Sequence, residues 1–331
     1  MNIPIFKDRQ FFDRISIRNR LENSVFPILP KNYGILFSFN RRLDKLCQLI
    51  QLSQLVHAVK LSIRNGQKRK IMSRPKLAVA TRCFGMPVKR AIQTAAQIRA
   101  RGVQLDIQNE VTPTSFGASG DRHFRKLLEE FNLSVTSMRL PSRHALTEPE
   151  FLDQRVATVK SALEFAWRLQ SPILIIHPGT IQTEEGGNFA IVCEVLNDLA
   201  RFASHIGTDL CVACENNSPT VIRQMVSEVR SGLIGVEFDT AEMIFNNHHP
   251  EKSIRELHTW IKSYRLRDAI REMDKGGVEV PLGQGMVMWD QFLALISETG
   301  YQDWLTVDRT QGEQRVEDCR RAITYLESVL I

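Results

Sequence analysis

From Lys76 onward, short apolar runs rich in β-branched residues alternate with longer stretches whose apolar positions recur every three or four residues. Runs of the first kind predict buried strands, and stretches of the second kind predict helices with one apolar face. The strand runs are LAVATRCF from Leu77, VQLDIQ from Val103, LSVTSMRL from Leu133, PILIIHPG from Pro172, DLCVACEN from Asp209, LIGVEFDT from Leu233, KSYRLRDA from Lys262 and WLTVDRT from Trp304. Stretches such as VKRAIQTAAQIRARG, PEFLDQRVATVKSALEFAWRLQ and VEDCRRAITYLESVL lie between or after them. Strands that alternate with helices pair in parallel through crossovers. Eight strands close a barrel, and residues 76–331 match the usual length of a (β/α)₈ TIM barrel, roughly 250 residues. A doubly wound open sheet would open with a Gly-rich first turn, whereas RCFGMPVKR holds one glycine.

Residues 1–75 form a basic N-terminal extension. Leu43, Leu46, Cys47, Ile50, Leu55, Val56 and Val59 recur near helical spacing, which predicts one amphipathic helix, and RNGQKRKIMSRP reads as a solvated linker. The extension carries 15 Lys and Arg against 4 Asp and Glu, while the remainder carries 28 against 33, so the formal charge of +6 hides a basic head on an acidic body. Two readings stay open: an arm for nucleic acid or a membrane surface, or an over-called start, since Met72 stands four residues before the first strand.

Composition narrows the class without naming a chemistry. At 43% hydrophobic and 24% charged, the chain is ordinary for a globular protein. Six scattered cysteines make no disulfide scaffold, and Cys211 with Cys214 lacks the second pair that a zinc site requires. Charges interrupt MNIPIFKDRQFFDR before a signal-type apolar run forms, and no stretch of 18 apolar residues occurs. The expectation is a cytoplasmic protein with no membrane partner.

In such a barrel the chemistry gathers at the C-terminal ends of the strands. The polar residues there are His177, Glu215 with Asn216 and Asn217, Asp239, Arg265, Arg267 and Asp268, and Asp308 with Arg309. Each has a plainer reading. Glu215 is equally a buried charge paired for structure with Arg265, Asp239 an ordinary helix N-cap, and His177 a satisfied structural histidine. His144, after strand three, is a further candidate.

These motifs resemble the xylose isomerase-like TIM barrels, the sugar phosphate isomerase/epimerase family. The likeness rests on HPG at His177 to Gly179, CENN at Cys214 to Asn217, GVEFDTAEM at Gly235 to Met243, RLRDA at Arg265 to Ala269, PLGQG at Pro281 to Gly285 and LTVD at Leu305 to Asp308. It implies a divalent metal, Mn²⁺ or Mg²⁺, held by Glu215, Asp239 and Asp308. The family's strand-seven histidine falls on Arg265, and its strand-eight glutamate on the shorter Asp308. A guanidinium has no lone pair to donate and repels a cation, so the metal stays in doubt. Arg265 either replaces the metal's charge or binds an anionic or enediolate oxygen.

The resemblance implies an isomerase or epimerase acting on a small sugar or sugar phosphate. Glu215, Asp308 and His177 would be its acid/base groups, moving a proton next to a carbonyl. Arg265, Arg267, Asn217, Gln284 and Arg309 would contact substrate, with the Leu282 to Gly285 turn as a phosphate loop. The alternative is a barrel that has lost metal catalysis and only binds a sugar-like ligand. An endonuclease-type DNA repair barrel ranks third, because such chemistry needs a cluster of metal-bound histidines and the strand ends supply only His177. Nucleic acid is therefore disfavoured as a partner, and a homodimer stays open.

Overall fold

The structure, a computed structural model, describes residues 75–114, 116–142, 144–184, 187–272 and 276–330. The helix and linker predicted in the basic extension lie outside them. Eight parallel strands close into one barrel: β1 (Lys76–Ala80), β2 (Gly102–Asp106), β3 (Ser134–Leu140), β4 (Ile173–Ile176), β5 (Asp209–Ala213), β6 (Ile234–Asp239), β7 (Ile261–Leu266) and β10 (Trp304–Val307). They are the eight predicted runs, and β10 pairs with β1 to close the ring, Leu77 lying opposite Leu305.

Helices α1 (Val88–Gln97), α2 (Ala118–Glu130), α3 (Leu152–Arg168), α4 (Phe189–Ile206), α5 (Pro219–Glu228), α6 (Thr240–Phe245), α7 (Pro250–Leu257), α8 (Trp289–Glu298) and α9 (Arg315–Val329) occupy the connections and the C-terminal segment. Their apolar faces and the outward faces of the strands make the main core. Phe238, Tyr264 and Phe292 meet there with ring centroids 5.8 to 6.0 Å apart, the spacing at which aromatic pairs add to simple burial. A second, small cluster of Ile173, Ile175, Cys211 and Ala213 belongs to β4 and β5, whose alternate residues point into the barrel.

One element was not predicted. The run RLRDA, read as one strand, ends at Leu266, and Asp268 begins an antiparallel hairpin of β8 (Asp268–Glu272) with β9 (Gly276–Val280). Among the described residues, no helix is long and apolar enough to cross a membrane.

Candidate active site

Strand pleating decides which charges face the interior. Phe238 and Tyr264 pack outward against Phe292, so their neighbours Glu237, Asp239 and Arg265 point inward. Inside the barrel Arg265 donates from Nε to Asp308 Oδ2 at 2.7 Å and from Nη1 to Asp239 Oδ2 at 3.1 Å. Its Nη1 also stands 3.7 Å from Glu215 Oε1. The guanidinium therefore lies among all three carboxylates that the resemblance nominated for a metal.

All three are charged. Burial opposes ionisation of Asp308, but Arg265, Arg267 and Arg82 outweigh it and hold the carboxyl below its ordinary range. Asp239 is likewise lowered against burial by Arg267 and Arg265. The same carboxylates raise Arg265 beyond its already high range. Asp308 is fully buried with both oxygens in use, because Oδ1 accepts from the Arg309 N–H at 2.7 Å. Asp239 also caps α6, its Oδ1 accepting from the N–H groups of Ala241 and Glu242.

Such a centre does not fit a divalent cation. A metal would need the lone pairs that Asp239 and Asp308 give to Arg265, and it would sit against a permanent positive charge. Among the described residues no group of three or more His, Cys, Asp or Glu is arranged to hold a metal ion.

Two candidate groups remain partly exposed at the mouth, His177 and Glu215, each with 24% of its side chain accessible. The CENN turn places Glu215. Asn216 takes φ +57, a left-handed conformation that asparagine tolerates. Asn217 staples the turn, donating to the carbonyls of Gly179 and Glu215 and accepting from the Ile181 N–H, each at 2.9 Å. His177 Nδ1 accepts the Gly179 N–H at 2.9 Å, so in the neutral ring the proton sits on Nε2, which faces Glu215 Oε2 at 3.3 Å. Burial lowers the His177 pKa, with Glu215 opposing and Arg139 adding. Burial pushes Glu215 up, but Arg139, Arg265 and His177 bring it below the usual carboxylate range. At neutral pH the pair is a carboxylate beside a neutral imidazole.

The other predicted contacts lie in structural networks. Arg267 bonds Asp239 at 3.0 Å, Glu242 at 2.8 Å and Glu279 at 2.9 Å. Arg309 bonds Glu279 at 3.2 Å and Asp318 at 3.1 Å. The turn containing Gln284, expected to cradle phosphate, is filled by the protein's own anion. Gly283 and Gly285 N–H groups donate to Asp268 Oδ2 at 2.9 and 3.0 Å, and the Trp289 indole joins them at 2.9 Å. Gln284 itself is exposed. His144 is exposed beside Glu148.

Three residues went unnoticed in the sequence. Arg139, at the end of β3, bonds Glu215 and the buried Glu237, and Glu237 also accepts from Gln104 Nε2 at 2.8 Å. Glu279 reaches in from the hairpin to bind both Arg267 and Arg309. The signal for Arg139 and Glu237 was available, since a charge inside an apolar barrel strand faces either a partner or a ligand. Glu279 gave no such signal because its hairpin was not foreseen.

Comparison with known proteins agrees with this architecture. A family model described as xylose isomerase-like TIM barrel matches residues 92–329. Inosose dehydratase 2 of Bacillus cereus is 22% identical over 121 residues, 32% of this chain, and the match spans 39% of that protein's length. Two solved structures share the fold. A xylose isomerase domain protein from Planctomyces limnophilus superposes with a TM-score of 0.68 at 20% identity, covering 78% of this chain and 96% of that one. D-psicose 3-epimerase from Clostridium cellulolyticum H10, with D-tagatose, gives 0.62 at 13% identity, covering 77% and 99%. A closed eight-stranded barrel, the motifs at its strand ends and a family model that spans most of the chain agree: this protein belongs to the xylose isomerase-like TIM barrel family.

Proposed function

We propose that the mouth formed by His177, Glu215 and Arg139 is the active site of a metal-independent isomerase or epimerase for a sugar-like hydroxycarbonyl compound. One observation carries the reading: the Arg265 guanidinium stands among Glu215, Asp239 and Asp308. It supplies internally the positive charge that keeps these carboxylates ionised, and it leaves Glu215 as the accessible carboxylate of the three. The names of the relatives, an inosose dehydratase and a ketose epimerase, support a polyol-like carbonyl substrate.

In this reading the Glu215 carboxylate removes the proton from the carbon next to the carbonyl. The C–H electron pair moves into the carbon–carbon bond and the carbonyl pair onto oxygen. The resulting enediolate oxygen is met by N–H donors of Arg139 and by His177 Nε2–H, and donors of this kind contribute about 3 kcal/mol each in comparable sites. Return of the proton from Glu215 to the neighbouring carbon, while the hydroxyl proton passes to the enediolate oxygen through His177, completes isomerisation; for epimerisation, water protonates the opposite face and Glu215 gives its proton back to solvent, with no net gain or loss of atoms. Asp308, locked beneath Arg265, serves as its counter-ion. Among the described residues the thiols of Cys83, Cys193, Cys211, Cys214 and Cys319 are buried and free, which supports placement in a reducing cytoplasm.

A second reading, binding without turnover, draws on the bond from Arg139 to Glu215, which lowers the basicity of the carboxylate. One experiment separates them: D-tagatose, D-psicose, D-fructose and inosose are incubated with the protein in D₂O and followed by NMR. Deuterium incorporation next to the carbonyl, insensitive to EDTA and lost in Glu215→Gln, is expected. Binding by calorimetry without incorporation establishes the second reading, and activity abolished by EDTA overturns the metal-free centre.

A further inference from the structure

The first and last elements of the barrel meet at a seam. β10 pairs with β1, and α9 packs on the short 3₁₀ turn Thr81–Phe84 that follows β1. At this seam Cys83 Sγ lies 3.6 Å from Cys319 Sγ, although the two residues stand 236 positions apart. Both side chains are buried and both thiols are free. As separate residues they are small apolar fillers. As a pair with sulfurs in contact, they bring one further reaction within reach.

The pair stands beside the end of β10. Asp318, next to Cys319, accepts from Arg309 Nε at 3.1 Å. The Asp308 charge and the Arg309 N–H both act on the Cys83 sulfur. A bond between the two sulfurs would tie the turn after β1 to the start of α9, where Arg309 already holds that helix through an ion pair.

Closing the gap from 3.6 Å to the roughly 2.05 Å of a disulfide moves each sulfur by about 0.8 Å, a shift on the scale of side-chain rotation. Access sets the pace. The hydrogen bond to Cys319 and burial push the Cys83 thiol up, so reaction waits on opening of the chain that covers the pair. Residues 311–314 are exposed, and Gln314 at the N-cap of α9 makes no side-chain cap bond. An uncapped helix start opens at lower cost than a helix interior, and Cys319 lies one turn further in.

We propose that Cys83 and Cys319 form a reversible latch: under oxidising conditions they join as a disulfide that ties α9 to the turn after β1 and closes the barrel seam covalently. Hydrogen peroxide is an oxidant small enough to reach the pair. One sulfur attacks a peroxide oxygen, the O–O bond breaks and water leaves, so that this thiol becomes a sulfenic acid. The second sulfur attacks the first, the S–O bond breaks and a second water leaves. Two thiols lose two hydrogens and two electrons, and the peroxide is reduced to two waters. Small thiols reverse the bond by exchange. The stabilising effect of a cross-link grows with the ring it closes, and this ring spans most of the barrel. The latch is independent of the chemistry at the mouth.

Full-length protein treated with hydrogen peroxide, blocked with N-ethylmaleimide and digested without reductant tests it. A peptide pair joined through Cys83 and Cys319 is expected, about 2 Da lighter than the two reduced peptides together and released by dithiothreitol. The oxidised protein should melt about 5 °C or more above the reduced one, and amide exchange at residues 315–319 should slow. Cys83→Ala and Cys319→Ala, made separately, should each abolish these changes on oxidation, so poor folding of one variant leaves the other to decide. The latch is overturned by thiols that react only in urea, by oxidation that ends at a sulfinic acid, by either residue pairing with another cysteine, or by a cross-link that leaves melting and exchange unchanged.

Discussion

Arg265 Nε lies 2.7 Å from Asp308 Oδ2 inside the barrel, and the carboxylate it bonds has no exposed surface. A guanidinium, with no lone pair to give a cation, closes Glu215, Asp239 and Asp308 into one ion cluster. The cluster is costly to form and costlier to break, since removing one member leaves a buried charge without its partner. Arg265→Met should therefore lower stability by about 3–5 kcal/mol in urea unfolding at pH 7.

Arg265→His tests the same relationship chemically. The imidazole restores a lone pair, and Glu215, Asp239 and Asp308 are freed to ligate. Mn²⁺ at millimolar concentration should leave the melting temperature of the wild type unchanged and raise that of Arg265→His, because a ligand that binds only the folded state stabilises it by mass action. A variant that ignores Mn²⁺ would mean that strand seven does not occupy the family's metal-ligand position.

Glu110 gives the molecule a pH signature of its own. Burial raises its pKa from 4.5 to about 7, against the opposing bonds from Thr81 and the Asp106 N–H. The folded state then holds a proton that the unfolded state releases between pH 4.5 and 7, so this group's contribution to stability is present at low pH and lost as pH rises through that window. Glu110→Gln removes the titration. The variant should match the wild type near pH 4.5 and exceed it by about 2 kcal/mol at pH 8, a value reduced from the full linkage figure for partial solvent screening. Equal urea midpoints at pH 8 would show that Glu110 titrates normally.

Much of this was legible in the sequence, and the reason differs between fold and site. Strand runs are marked by apolar density, which burial on both faces of a barrel strand enforces, so β1 through β7 and β10 could be read with little error. The hairpin was hidden because RLRDAI continues the β-rich pattern of β7, and only the inward demand of Arg267 and the turn set by Asp268 end the strand at Leu266. Site chemistry depends on pairing across strands far apart in sequence. His177, Glu215, Asp239, Arg265 and Asp308 could be named from their positions at strand ends. That Asp308 faces Arg265 with both oxygens engaged, or that Asp268 fills the glycine turn, required coordinates.

Asp268 is the anchor of that turn. It accepts from the N–H groups of Ala269, Gly283, Gly285 and Val287 and from the indole of Trp289. A Cβ on Gly285 would lie 2.1 Å from Asp268 Oδ1, so the glycine serves this carboxylate. Asp268→Ala should cost about 3 kcal/mol, the scale of losing charged hydrogen bonds whose donors partly recover water. Amide exchange should quicken at residues 283, 285 and 287 first. Exchange that stays slow in the variant would show that another group holds the turn, and added phosphate that restores both stability and slow exchange would show that the vacated nest takes an external anion.

Gly179 carries two constraints that can be separated. Its φ of +97 penalises any side chain, and its Cβ position is already taken by Ala145 and Thr147. Gly207, which ends α4 at φ +89, has the first constraint without the second, since nothing lies within 4 Å of its Cβ position. Gly207→Ala should cost about 1 kcal/mol, the price of a left-handed conformation alone. Gly179→Ala should cost about 1–2 kcal/mol more, because the segment carrying Ala145 and Thr147 must move to admit the methyl group. Equal destabilisation by the two substitutions would mean that the segment carrying Ala145 and Thr147 yields freely to the methyl group.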